Sequence, residues 1–97
     1  MMETAAHLEL VAMRLRVEAT RLDGVIVRYV EPAMRLLPEV WVGPAADHLE
    51  RELLGHRRLL QAVVSRLCAR AGSLEWQAAE LRAAEAAGAL GGVSGAL

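Results

Sequence analysis

The sequence predicts an all-α fold, an antiparallel two-helix hairpin that dimerises into a four-helix bundle. Three observations predict it. The 97-residue chain contains no Phe, two Trp and one Tyr, and its wealth of Ala, Leu, Arg and Glu favours long helices over a sheet. Apolar residues recur at alternating spacings of three and four along two segments. Proline and glycine mark one short connection between those segments.

The first helix is predicted over residues 3–37. It carries an unbroken apolar seam that is expected to form one side of the hairpin core. The members that recur every seven residues are Leu8, Leu15, Leu22, Tyr29 and Leu36. Pro32 lacks a backbone N–H and crowds the carbonyl of Arg28, so we expect a kink near residues 28–32. Pro38 is expected to end the helix.

The second helix is predicted over residues 44–86, starting at Pro44, whose fixed φ suits the first helical position. Its core residues in the hairpin are expected to be Leu53, Leu60, Leu67 and Leu74. If Leu36 lies beside Ala46, every layer of the two antiparallel seams matches, ending with Leu8 beside Leu74. Residues 38–44 then form the turn within a hairpin domain of residues 1–87. The glycine-rich tail 88–97 is expected to be flexible.

A second apolar seam on the first helix lies nearly opposite the core seam. Its members, expected to form a dimer interface, are Leu10, Met13, Val17, Gly24, Val27 and Met34. An exposed apolar stripe of this length is typical of an interface, so we expect two hairpins, identical or paralogous, to pair. A heptad column of arginines between the seams is interpreted as a solvated face. It consists of Arg14, Arg21, Arg28 and Arg35.

Several function classes find little support in the sequence. The net charge of −1 gives no footprint for nucleic acid. Cys68 is alone, and no apolar run is long enough to span a membrane. His48, Glu52 and His56 fall four residues apart, but the two histidines lie ~12 Å apart, too far to share a metal ion. We therefore predict no enzymatic activity, no catalytic or metal-binding residue, no cofactor and no small-molecule substrate.

The connection carries Trp41, Val42 and Gly43, followed directly by Pro44. With its length, its two helices and this turn motif, the chain resembles the WXG family, small helical hairpins handled by the type VII secretion system of actinobacteria and other Gram-positive bacteria. The resemblance covers nearly the whole chain. It implies a protein that is cytoplasmic before export and is then secreted as a dimer, without a cleavable signal peptide, after recognition by the secretion ATPase.

In the family, a C-terminal tyrosine followed four residues later by an acid signals export; here Trp76 and Glu80 stand in that pattern. One helical turn separates the two residues, so they share a helix face. The resemblance implies a composite export surface, with Trp41 from one hairpin and Trp76 and Glu80 from its partner. Two functions stay open. The chain is a secreted effector or secretion partner, or it is an intracellular coiled-coil adaptor that docks another helical protein.

Overall fold

The computed structural model describes the backbone of residues 4–96 and the side chains of residues 4–88 except that of Val40. Three α-helices occur over this range: α1 (Ala5–Val25), α2 (Glu31–Val40) and α3 (Pro44–Ala96). A π-helical turn, Ile26–Val30, joins α1 to α2 without a break. No strand occurs within residues 4–96. The predicted all-α class and the helical hairpin are confirmed.

A side-chain cap begins α1. Thr4 has extended backbone angles, and its Oγ1 accepts a hydrogen bond from the N–H of His7 at 3.1 Å. This bond satisfies one of the N–H groups that a helix start leaves unpaired. The helix therefore begins at Ala5, and residue 3, where we predicted the start, lies outside the described residues.

The core lies where α1 packs antiparallel against the second half of α3. Its buried cluster consists of Ala5, Leu8, Ala12, Ala71, Leu74 and Ala78. Leu8 and Leu74 share this cluster, as the predicted register requires. The alanines between them let the two helices approach closely. Five other leucines that were predicted for the core are half-buried: Leu15, Leu22, Leu53, Leu60 and Leu67.

The π-helical turn moves the core to different residues. The N–H of Glu31 bonds to the carbonyl of Ile26, five residues earlier, so one extra residue is accommodated in this turn. At the end of this turn, Val30 is buried, whereas Tyr29 is 68% exposed. Leu36, one heptad after Tyr29, is 55% exposed for the same reason. The prediction that Tyr29 and Leu36 belong to the core is therefore wrong.

Pro32 explains why the irregular turn lies here. A proline inside a regular α-helix supplies no N–H, and its ring crowds the carbonyl four residues earlier, that of Arg28. The widened turn ends at Val30, two residues before this proline. The helix thus continues past Pro32, as predicted, with a π-helical turn as the local irregularity.

Three predicted boundaries differ from the structure. Pro38 does not end the helix; it lies in the last turn of α2, which runs to Val40. The connection is consequently shorter than residues 38–44 and spans Trp41–Gly43. The third difference is the end of α3, which continues beyond residue 86 to Ala96. The side chains of residues 89–96 and the whole of residue 97, which fall in the predicted flexible tail, lie outside the described residues.

Candidate interaction surfaces

The turn places an aromatic side chain at one end of the hairpin. Trp41 follows α2 in an extended conformation, and its N–H donates to the Leu37 carbonyl at 2.9 Å. Gly43 has a φ of 116°, a backbone conformation that residues with a side chain rarely adopt. Pro44 then begins α3. This geometry leaves Trp41 52% exposed, so the side chain packs partly and is also accessible to a partner.

Trp76 and Glu80 lie together on α3, as their spacing predicts. They line one shallow groove of about 550 Å³, the Trp76 groove, whose other residues are Leu8, Gln77, Leu81 and Ala84. Leu8 comes from α1 and the remaining residues from α3. Trp76 is 66% exposed, so its indole contributes a large apolar surface beside a carboxylate. The structure thus brings the two predicted signal residues into one accessible surface.

The two tryptophans of a single hairpin are far apart. Trp41 precedes α3 and Trp76 lies 35 residues further along the chain, which corresponds to ~50 Å at the helical rise of 1.5 Å per residue. One chain therefore cannot join the turn motif and the Trp76 groove into a single binding surface. A partner that contacts both at short range has to bind two copies or span most of the rod.

The seam predicted for dimerisation divides into an exposed part and a half-buried part. Leu10, Met13 and Val17 are 41%, 56% and 54% exposed, respectively; with the exposed Ala6 and Thr20 they form the outer stripe of α1. Val27 is also exposed, whereas Gly24 and Met34 are half-buried. Met34 lines a cleft with Glu31, Arg35 and Arg57, because the π-helical turn rotates α2 relative to α1. The continuous accessible stripe is therefore confined to α1.

Two ion pairs along one edge of the hairpin were not predicted. Arg16 binds Glu75 through two hydrogen bonds, of which Nε to Oε2 measures 3.2 Å. Arg82 Nε lies 2.6 Å from Glu9 Oε1. The hydrogen bond from Arg16, with its positive charge, lowers the pKa of Glu75, and the contact with Glu75 raises the pKa of Arg16. The pKa of Arg82 is raised by its hydrogen bond to Glu9.

The sequence did contain a signal for these pairs. Glu9 and Arg16 are seven residues apart, as are Glu75 and Arg82. Their charges are opposite in the antiparallel order, and the residue numbers of both pairs have the same sum. Charges that flank a core seam in this arrangement are typical of pairs between neighbouring helices.

The polar side chains of α3 near the turn include His48, Glu52, His56 and Arg57. His48 Nε2 lies 3.0 Å from Glu52 Oε1 on the surface of α3, while His56 is exposed one turn further on. Within the described residues, no group of three or more His, Cys, Asp or Glu side chains could hold a metal ion. Sequence reasoning also missed the cleft beside Arg57, whose buried Nε has no hydrogen-bond partner among the described atoms.

Neither a membrane-spanning helix among the described residues nor a matching protein points to a function. Over its described residues, none of the helices has the length and apolar character needed to cross a membrane. No family model, curated protein or solved structure matches the chain, and the function proposed below rests on the resemblance of its motifs to the WXG family and on the geometry described above.

Proposed function

We propose that this chain is a WXG-type helical hairpin, exported as a dimer by a type VII secretion system. The observation that carries the proposal is the turn: Trp41 stands half exposed between the arms of an antiparallel hairpin, next to a glycine at φ 116°. The Gly43–Pro44 step that follows it both reverses the chain and starts α3. A tryptophan needed only to plug the end of a bundle would be expected to lie largely buried.

The Trp76 groove supplies the second element of the proposal. An exposed indole beside a carboxylate can make both apolar and charged contacts with a receptor. In two hairpins packed antiparallel, the Trp76 groove of one lies near the turn of the other. The secretion ATPase would then bind a composite surface that exists only in the dimer. Outside the cell the dimer acts as an effector or accompanies another secreted protein.

Dimerisation is supported by the outer stripe. Two helices bury only one side each in a hairpin, and the outer stripe leaves large apolar side chains of α1 in water. Packing a second hairpin on this stripe gives a four-helix bundle and removes that surface from solvent. The same stripe would also serve an intracellular adaptor that docks a helical protein, which is the alternative function. Only the export proposal requires Trp76.

Export from the source bacterium tests the proposal. N-terminally tagged wild type and the variants Trp41→Ala and Trp76→Ala are measured in washed cells and culture filtrate, with a cytoplasmic enzyme as the control for lysis. We expect wild type in the filtrate and at least about tenfold less of each variant there, the effect of losing one anchor residue of an interface. Val42→Ala and Leu59→Ala are the matched controls, since both residues are exposed and apolar, at 90% and 63%.

Two outcomes would contradict the proposal. Wild type confined to intact cells, when a known type VII substrate of the same organism reaches the filtrate, favours the adaptor. Equal loss of export in the tryptophan variants and in the controls shows that the indoles have no specific role. Circular dichroism of the purified variants distinguishes loss of recognition from loss of the helical fold.

A further inference from the structure

We propose that the outer stripe binds a different hairpin with an acidic border, and not a second copy of this chain. The inference deepens the proposed function and rests on its dimeric part, because it names the chemistry of the partner. It follows from the charges on the two borders of the outer stripe. A border here means the residues three or four positions away from the stripe residues, which adjoin them on the helix surface.

One border is already neutralised within the hairpin. Glu9 and Arg16 adjoin Met13, and both are engaged in the ion pairs with Arg82 and Glu75 that hold α1 to α3. Each of these carboxylates and guanidiniums therefore has a partner in its own chain. Around Met13 this border therefore offers little net charge to a second hairpin, and Asp23, three residues after Thr20, adds one exposed acid at its far end.

The opposite border is basic. Arg14 lies four residues after Leu10 and three before Val17, and Arg21 lies four residues after Val17. His7 precedes Arg14 by one heptad, and all three of these side chains are exposed. The acidic side chain near this border is Glu18, which lies 3.4 Å from Arg21 in a contact that leaves the Arg21 side chain 70% exposed. Arg14 and Arg21 were interpreted above as part of a solvated face. When a partner covers the adjoining stripe, these arginines lie at the edge of the interface and face the partner's border.

Self-pairing would oppose these arginines to one another. When two antiparallel helices pack along the same stripe, each border meets the identical border of the partner. Positions 7, 14 and 21 are all His or Arg, so a shift by one heptad still places a basic residue opposite a basic residue. Like charges opposed at an interface disfavour that complex and select against the wrong partner. A helix with Asp or Glu at this border would instead form ion pairs with Arg14 and Arg21.

Mixing the chain with a charge-reversed copy tests this inference. The probe is the double variant Arg14→Glu/Arg21→Glu, which keeps the outer stripe and presents the acidic border that we infer for the partner. Light scattering after size exclusion and a fluorescence titration measure self-association of each chain and association of the 1:1 mixture. We expect the mixed dimer to form at least about tenfold more tightly than either homodimer. The double variant Arg51→Glu/Arg58→Glu is the control, because it changes charge equally at exposed heptad positions of α3.

The outcomes separate this inference from the proposed function. Self-association of wild type as tight as the mixed dimer, or equal gain with the α3 control, overturns the acidic partner and leaves a dimeric export substrate intact. No association in any mixture overturns both the inference and the dimeric part of the proposed function, whereas the Trp76 export result stands separately. A wild-type salt series provides a test without variants. Sodium chloride should strengthen self-association by screening the arginines, and weakening or no change with salt contradicts the inference.

Discussion

At the scale of single residues, Gly43 determines how the chain reverses. Its φ of 116° lies where a Cβ is disfavoured, although no atom outside the adjacent residues lies within 4 Å of the position that a Cβ would occupy. The requirement for glycine is therefore one of backbone conformation and not of space. Gly55 provides the contrast, since it also has open surroundings but lies within α3.

We therefore predict opposite effects of the same substitution at these two glycines. Gly43→Ala should lower the free energy of unfolding by about 1–3 kcal/mol, the cost of a side chain in a sparsely populated region. Gly55→Ala should raise it by about 0.5–1 kcal/mol, because alanine loses less entropy in a helix. Urea unfolding followed by circular dichroism measures both. Equal effects of the two substitutions would show that the turn conformation is not required.

At the scale of elements, the π-helical turn determines which residues form the core in the half of the hairpin that lies nearer the Trp41–Gly43 connection. Ile26 and Val30 are 2% and 9% exposed and lie four residues apart, whereas the predicted seam placed Tyr29 in the core. The heptad pattern alone could not reveal this shift. An apolar residue is present at both 29 and 30, so neither register leaves a polar residue at the core position.

Substitutions at these adjacent positions distinguish the two registers. Val30→Ala should destabilise the protein by about 2 kcal/mol, from two lost methyl groups and the space they leave. Tyr29→Ala should change stability by no more than about 0.5 kcal/mol, as expected for an exposed side chain. The measurement is urea unfolding at low protein concentration, which minimises any dimer. A larger effect at Tyr29 than at Val30 would restore the uninterrupted heptad register.

At the scale of the whole molecule, two ion pairs join chain segments that are distant in sequence. Arg16 and Glu75 are 59 residues apart, and Glu9 and Arg82 are 73 apart. Each side chain is about half exposed, between 46% and 57%, so solvent screens the attraction strongly. Their main effect is on register, because sliding α1 along α3 by one turn would separate both pairs.

The pairing of Glu75 predicts a specific dependence of stability on acid. Its pKa is lower in the fold than the ordinary value of 4.5, because Arg16 binds the ionised carboxylate. This contribution to stability is fully present above that ordinary value and is lost as the pH falls below it and through the lowered pKa. Unfolding free energies measured between pH 7 and pH 3 should fall less steeply for Arg16→Gln than for wild type.

Arg51→Gln, at an exposed arginine of α3 outside these pairs, is the control for that pH series. It should retain the acid dependence of wild type. If Arg16→Gln and Arg51→Gln behave alike, the carboxylate of Glu75 has no preferential partner in solution.

Sequence patterns were sufficient for the hairpin and insufficient for its irregular features. The layer of Leu8 and Leu74, the turn at Trp41 and the shared face of Trp76 and Glu80 all follow from periodicity or from fixed spacing. The one-residue shift at Ile26–Val30 depends on how Pro32 is accommodated, which periodicity does not encode. The position of Met34 beside Arg57 follows from that shift and was unpredictable for the same reason.

The π-helical turn has a further consequence, for the alignment of this chain with any hairpin of slightly different length. A hairpin one residue shorter between Ile26 and Val30 would form a regular α-helix there and still present the same core residues on both sides. Such a relative would align with this chain only if a gap were opened in the middle of a continuous helix. An ungapped alignment would match α1 and then lie one residue out of frame along α2, the turn with Trp41, and α3. Deleting Tyr29 from this chain would show directly whether the fold tolerates that change of length.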